Sequence, residues 1–240
     1  MILEGYYPMK DHFSSQFDFD LEQIRTRIMT MGGLVEQQVS SAIESFSNGN
    51  IDAMRRIIET DKEVDAHEVG IDSDCTRLIA RRQPTARDLR LVMAVLRIVT
   101  DLERVGDKAS KIARMSIKLY DSPHMHIPKL PDVRLCGELA LAQLRNSLDA
   151  LVRMDVEAAH RVIKADISID ERFNGILRQL ITYMMEDPRT ITEALDIIWI
   201  AKAVERIGDH ASNIAENVVY VVSGNDIRHT AEAAGKSDEA

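Results

Sequence analysis

The chain is poor both in residues that interrupt helices and in residues that build sheets: its 240 positions hold 11 Gly, 6 Pro and 5% aromatics. So few turn formers leave little room for strands and hairpins, while Leu, Ile, Ala, Met, Arg and Glu, which dominate, favour helices. Only two cysteines occur, Cys75 and Cys136, which excludes a disulfide framework and points to a reducing compartment. No window approaches the roughly 20 apolar residues of a membrane span, and residues 1–8 lack the apolar run of a secretion signal. A basic excess is also missing, since 30 Lys and Arg face 39 Asp and Glu, a net charge of −9. That balance argues against a nucleic-acid backbone as the main partner, because nothing displaces its counterions. It argues equally against broad docking on an anionic membrane. What remains is an all-α, acidic, cytoplasmic protein with no membrane insertion.

Proline divides what is there. Pro123, Pro128 and Pro131 crowd residues 121–132, and no helix crosses such a stretch, because each proline lacks an amide donor and restricts its predecessor. Pro84 and Pro188 punctuate the two halves at similar places. Periodicity of 3.6 residues between the breaks predicts six helices, at 17–47, 51–81, 86–119, 132–152, 156–185 and 190–221. Asn48-Gly49-Asn50 separates the first pair; the corresponding break in the second half, Met154-Asp155, is a much weaker signal.

The halves are copies. Glu103-Arg-Val-Gly-Asp-Lys-Ala-Ser-Lys-Ile-Ala113 and Glu205-Arg-Ile-Gly-Asp-His-Ala-Ser-Asn-Ile-Ala215 match at eight of eleven positions, offset by 102. Upstream, Asp61-Lys-Glu-Val-Asp65 matches Asp166-Ile-Ser-Ile-Asp170, offset by 105. The difference is absorbed in the proline loops, where length changes cost little. The expected architecture is two tandem repeated three-helix bundles. The implied division is an N-terminal segment (1–16), a first bundle (17–120), a linker (121–131), a second bundle (132–222) and a disordered polar tail (223–240).

The duplicated acids are the candidate site. Residues four apart lie one above the other on a helix, so Glu103 and Asp107 share a face, as do Glu205 and Asp209. Leu91, Val95, Ile98 and Leu102 form an apolar arc centred near Gly106, with Glu103 and Asp107 at its edge. Gly106, repeated as Gly208, costs helix propensity but admits a close neighbour. On the second helix Asp61, Asp65, Glu68 and Asp72 fall within the apolar stripe of Met54, Ile57, Ile58, Val64, Cys75 and Ile79, where isolated charges are expensive. The second half keeps Asp166 and Asp170 but replaces the other two acids by Phe173 and Leu177. Each unit therefore offers at least four carboxylates from two helices. Oxygen-only ligands suit Mg²⁺, Mn²⁺, Ca²⁺ or iron better than zinc. The plain alternative is that Arg104, Arg206, Lys108 and Lys111 pair with these acids in surface networks.

Other features carry less. Glu157-x-x-His160 has the spacing of di-iron bundles but is not duplicated, and His124 and His126 lie in the linker. His210 corresponds to Lys108 and is expected to be exposed, Cys75 to be core, and Trp199, which aligns with Arg97, to mark an interface. No phosphate-binding glycine loop or Ser-His-Asp pattern occurs.

With these motifs in this order, and with the opening His12-Phe-Ser-Ser-Gln-Phe-Asp-Phe-Asp-Leu-Glu22, the chain resembles the PhoU family over about residues 9–222. The resemblance implies a homodimeric negative regulator of the phosphate-starvation (Pho) response and of phosphate uptake, without catalytic activity. Its implied partners are the ATPase subunit of the phosphate ABC transporter, a PhoR-like sensor histidine kinase and that kinase's PhoB-like response regulator. It further implies divalent or transition metal ions (iron, Mn, Mg or Zn), first on Glu103, Asp107, Glu205 and Asp209, with Asp61, Asp65, Asp166 and Asp170 facing them. Two other readings of the same acids stand beside it: a metal-dependent hydrolase or oxidase, and a metal-free helical scaffold.

Overall fold

The computed structural model describes residues 14–121 and 131–227, with side chains from Phe17 onward in the first span. Six helices account for nearly all of it: α1 Ser14–Asn48, α2 Ile51–Arg82, α3 Ala86–Tyr120, α4 Pro131–Arg153, α5 Val156–Glu186 and α6 Ile191–Ser223. A single 3₁₀ turn, Pro188–Thr190, leads into α6. The helix ends lie within three residues of the sequence expectation. The N-terminal segment before α1, most of the linker and most of the tail lie outside the described residues. Within the described part, Pro131 opens α4 rather than closing the linker, and Ser223 still belongs to α6. Ile227 is 8% exposed, so the chain just past α6 packs on the core instead of leaving it.

The helices α1, α2 and α3 pack on one another as one bundle, and α4, α5 and α6 as the second. Both hairpins start with the same device. Asn50 accepts a hydrogen bond from the Ala53 amide at 3.0 Å, and Asp155 from the Ala158 amide at 2.9 Å, each satisfying an orphan donor of the helix N-terminus. The residue before each cap is left-handed: Gly49 with φ 74° and Met154 with φ 51°. The second break was hard to see in sequence because a methionine, not a glycine, occupies that position.

The bundles join by α3 against α6 and α1 against α4. The second contact repeats about a pseudo-twofold relation. A Cβ on Gly32 would meet Leu148 Cδ2 at 3.0 Å, and one on Gly137 would meet Ile43 Cγ1 at 2.8 Å. Both glycine and partner are offset by 105 residues, so duplication of the chain duplicated the seam. The core runs through both bundles without a break, from Ile28 and Val35 on α1 to Ile207 and Ile214 on α6. Among the described residues no helix is long and apolar enough to cross a membrane.

Candidate metal centre

A buried glutamine organises the acids in each half. Gln38 on α1 is 3% exposed, and its Nε2 points at the Ile57 carbonyl (3.2 Å), Asp61 Oδ1 (3.3 Å) and Ser110 Oγ (3.5 Å). Gln143 on α4, also 3% exposed, repeats this with Val162 (3.2 Å), Asp166 Oδ1 (3.0 Å) and Ser212 Oγ (2.9 Å). One amide nitrogen with two hydrogens thus serves three acceptors on two neighbouring helices. The glycine between the paired acids makes this approach possible. A Cβ on Gly106 would stand 3.2 Å from Gln38 Oε1 and 3.5 Å from Asp61 Oδ1. A Cβ on Gly208 would stand 3.1 Å from both Gln143 Oε1 and Asp166 Oδ1. Periodicity anticipated a close neighbour at these glycines but not its identity. The signal was present: Ser110 and Ser212 lie in the matched eleven residues, and Gln38 and Gln143 share the 105-residue offset.

In the second half, Asp170, Glu205 and Asp209 each bring one carboxylate oxygen within 4.8 Å of the others, the spacing of ligands around one cation. The fourth expected acid, Asp166, is half-buried beside them on Gln143. Burial first, then the charges of Glu205 and Asp166, pushes the Asp209 carboxyl up to about 6, against the opposing pull of Arg206 and Lys202. Burial likewise raises Asp166, helped by Asp170 and Glu205 and countered by its bond from Gln143. Lys202 Nζ lies 2.5 Å from Glu205 Oε1 and Arg206 Nη1 lies 3.4 Å from Asp209 Oδ2, so the surface-network alternative holds for part of this cluster. Glu205 Oε2 is nevertheless buried without a hydrogen bond, with Arg206 Nε 3.9 Å away. The donor set fits a hard divalent ion.

The first half differs. Its acids do not converge into such a triad among the described residues. Lost hydration, then Asp61 and Asp107, raises Asp65; burial, then Asp107, Glu68, Asp65 and Asp61, raises Glu103. These influences set all five carboxylates in one neighbourhood, and none of Asp61, Asp65, Glu103 and Asp107 makes an ion pair among the described residues. Asp65 and Asp72 are exposed, so the α2 acids run along the edge of the apolar stripe and not inside it. The stripe is narrower than expected because Ile71 and Leu78, not Ile58 and Ile79, complete its buried line.

His210 is a second departure. It is 8% exposed, and its Nδ1 lies 2.9 Å from Asp101 Oδ1, which also accepts from Asn213 Nδ2 at 3.1 Å. The analogy with Lys108 failed because packing of α6 on α3 buries this position opposite an acid that its copy lacks. Cys75 is fully buried, and Trp199 is half-exposed.

The PhoU domain matches residues 28–116 and 133–218 of this chain. The chain belongs to the PhoU domain family. It is 46% identical over 221 residues to the Escherichia coli K12 phosphate-specific transport system accessory protein PhoU, covering 92% of this chain and 91% of that one. A homologue of the same description from Pseudomonas putida is 42% identical over 233 residues, covering 93% and 90%. The crystal structure of PhoU from Pseudomonas aeruginosa superposes with a TM-score of 0.84 at 42% identity, covering 87% of this chain and all of that one. That of the phosphate transport system regulatory protein PhoU from Streptococcus pneumoniae gives 0.80 at 25% identity, covering 87% and 98%. The two matched segments coincide with the two bundles and include every duplicated carboxylate.

Proposed function

We propose that this chain is a cytoplasmic accessory protein of phosphate-specific transport that holds down phosphate uptake and the phosphate-starvation response when phosphate is plentiful. Identity above 40% across nine-tenths of relatives named as accessory proteins of the phosphate-specific transport system supports the transport part of this reading. As an adaptor without catalysis of its own, it links the transporter's ATPase subunit to a sensor histidine kinase and its response regulator, working as a homodimer. An adaptor of this kind transmits state through unequal affinity for the two states of its partner.

The clusters supply the site. The convergence of Asp170, Glu205 and Asp209 is the observation that carries a metal there, with Asp166 beside them. Glu103, Asp107, Asp61 and Asp65 form the weaker counterpart. A bound divalent or transition ion would neutralise like charges that otherwise repel and would tie α5 to α6. Metal content after extensive dialysis tests this, comparing the wild-type chain with Asp170→Asn/Asp209→Asn. The reading requires bound metal in the wild type and its loss in the variant with helicity kept; metal-free wild-type protein would overturn it. The pathway role is tested by a phosphate-starvation reporter in high phosphate, in cells lacking this gene. Derepression reversed by the wild-type gene is the expected result, and unaltered repression contradicts the role.

A further inference from the structure

One face of the second bundle departs from its copy in the first. Along α5, Phe173 and Leu177 are half-buried, while Ile181 is 43% and Met185 80% exposed; along α6, Leu195 is 46% and Trp199 51% exposed. Helical spacing sets both rows on the side of the hairpin that carries Asp170 and Asp209, directly beyond the carboxylates. Lys202 joins the rows, its Nζ 5.1 Å from the centre of the Phe173 ring. At the matching positions the first bundle has Glu68, Asp72, Thr76 and Ala80 on α2, and Met93 and Arg97 on α3. A face required by the fold would recur in both copies. Of the matching residues only Met93 is large, apolar and exposed, at 40%, and a run of exposed apolar residues that the fold does not require marks an interaction site.

The rim tells what covers it. Lys111 Nζ lies 4.7 Å from the centre of the Trp199 ring, Arg114 stands one turn along α3, and Arg178 flanks Ile181 on α5. None of these three cations has an ion-pair partner among the described residues, on a chain whose net charge is −9. We infer that this α5–α6 face is the docking surface for an amphipathic helix of a partner protein that carries acidic residues beside its apolar anchors. The inference rests on the adaptor reading and specifies its contact. Apolar anchors fill the row between the helices, and the acids meet Lys111, Arg114 and Arg178, which sets register and approach. A second copy of the chain fits less well, because a twofold contact would press each basic rim against itself. An anionic membrane fits less well still, because a plane of headgroups covers the carboxylate cluster along with the basic rim, whereas a single helix can set its acids on the rim and its apolar residues elsewhere.

The test is photocrosslinking in cells with benzoylphenylalanine at position 199 of the full chain, and at position 93 as the matched control, with the adducts mapped by mass spectrometry. The inference requires an adduct at 199 to a segment of another protein with acids beside apolar residues at helical spacing. The adduct should weaken about tenfold at position 93, and about tenfold when Lys111→Glu, Arg114→Glu and Arg178→Glu are combined. No adduct, or an adduct to lipid, to a second copy or to a basic segment, overturns it. The reporter separates this failure from failure of the adaptor reading. If deletion of the gene derepresses the response but folded Trp199→Glu/Ile181→Asp restores full repression, the surface is wrong and the adaptor stands. If deletion has no effect, the adaptor reading falls, and the crosslinks alone judge the surface.

Discussion

Gln143 shows how much of the site rests on a side chain that is not itself a metal candidate. Its amide reaches Val162, Asp166 and Ser212 from inside the bundle, so Gln143→Leu leaves three acceptors without their donor. The expected loss is about 2 kcal/mol in denaturant unfolding, with about 0.5–1.5 kcal/mol of coupling to Ser212→Ala in a double-mutant cycle. Additive effects would show that the two do not share a hydrogen bond. In sequence a glutamine within a helix reads as surface, which is why the duplicated acids were legible and their organiser was not. Cys75 was legible as core. Burial, with Asp72 and Asp74 against the pull of Arg27, pushes the Cys75 thiol up to about 12 from 9.0. Below pH 9 both folded and unfolded chains keep this proton, so the thiol adds no pH dependence. Above it the unfolded chain loses the proton first, so stability falls as pH rises from about 9 to about 12. The Tyr120 phenol, raised by burial, acts with the same sign. Midpoints measured from pH 8 to 11 should fall less steeply for Cys75→Val than for wild type; equal slopes would show the thiol ionising freely in the native state.

At the scale of elements, α3 and α6 form the seam between the bundles, and their polar contact lies where sequence symmetry breaks. Asp101 receives both His210 and Asn213, whereas the position matching Asp101 in the second half is Ala203. Asp101→Ala removes the partner of the buried His210 ring and of the half-buried Asn213 amide and should cost about 1–3 kcal/mol in unfolding free energy. A neutral result would mean that water replaces the carboxylate. Helix positions were readable because proline, glycine and Asx caps interrupt a steady apolar period. The burial of His210 was not, because it depends on a helix 109 residues away in the chain. The acids of α2 sit at the rim of their stripe for a related reason: packing buries Ile71 and Leu78, while Ile58 and Ile79, which periodicity includes in the stripe, are only partly buried.

Over the whole molecule, duplication was the most informative property of the sequence. It gave the two bundles and the two acidic clusters, and the structure adds that the copies have diverged. The second cluster converges on one point and adjoins an apolar face, while the first stays spread and keeps its extra acids. On the proposed reading, that asymmetry makes the second cluster the one to test first. The most direct test replaces the chromosomal gene with one encoding Asp170→Asn/Glu205→Gln/Asp209→Asn. The phosphate-starvation reporter is then read in high phosphate, with protein level and helicity checked. Derepression by a folded, normally abundant variant is the predicted result. Full repression by that variant would contradict the account, because the converging carboxylates would then have no part in what the protein does.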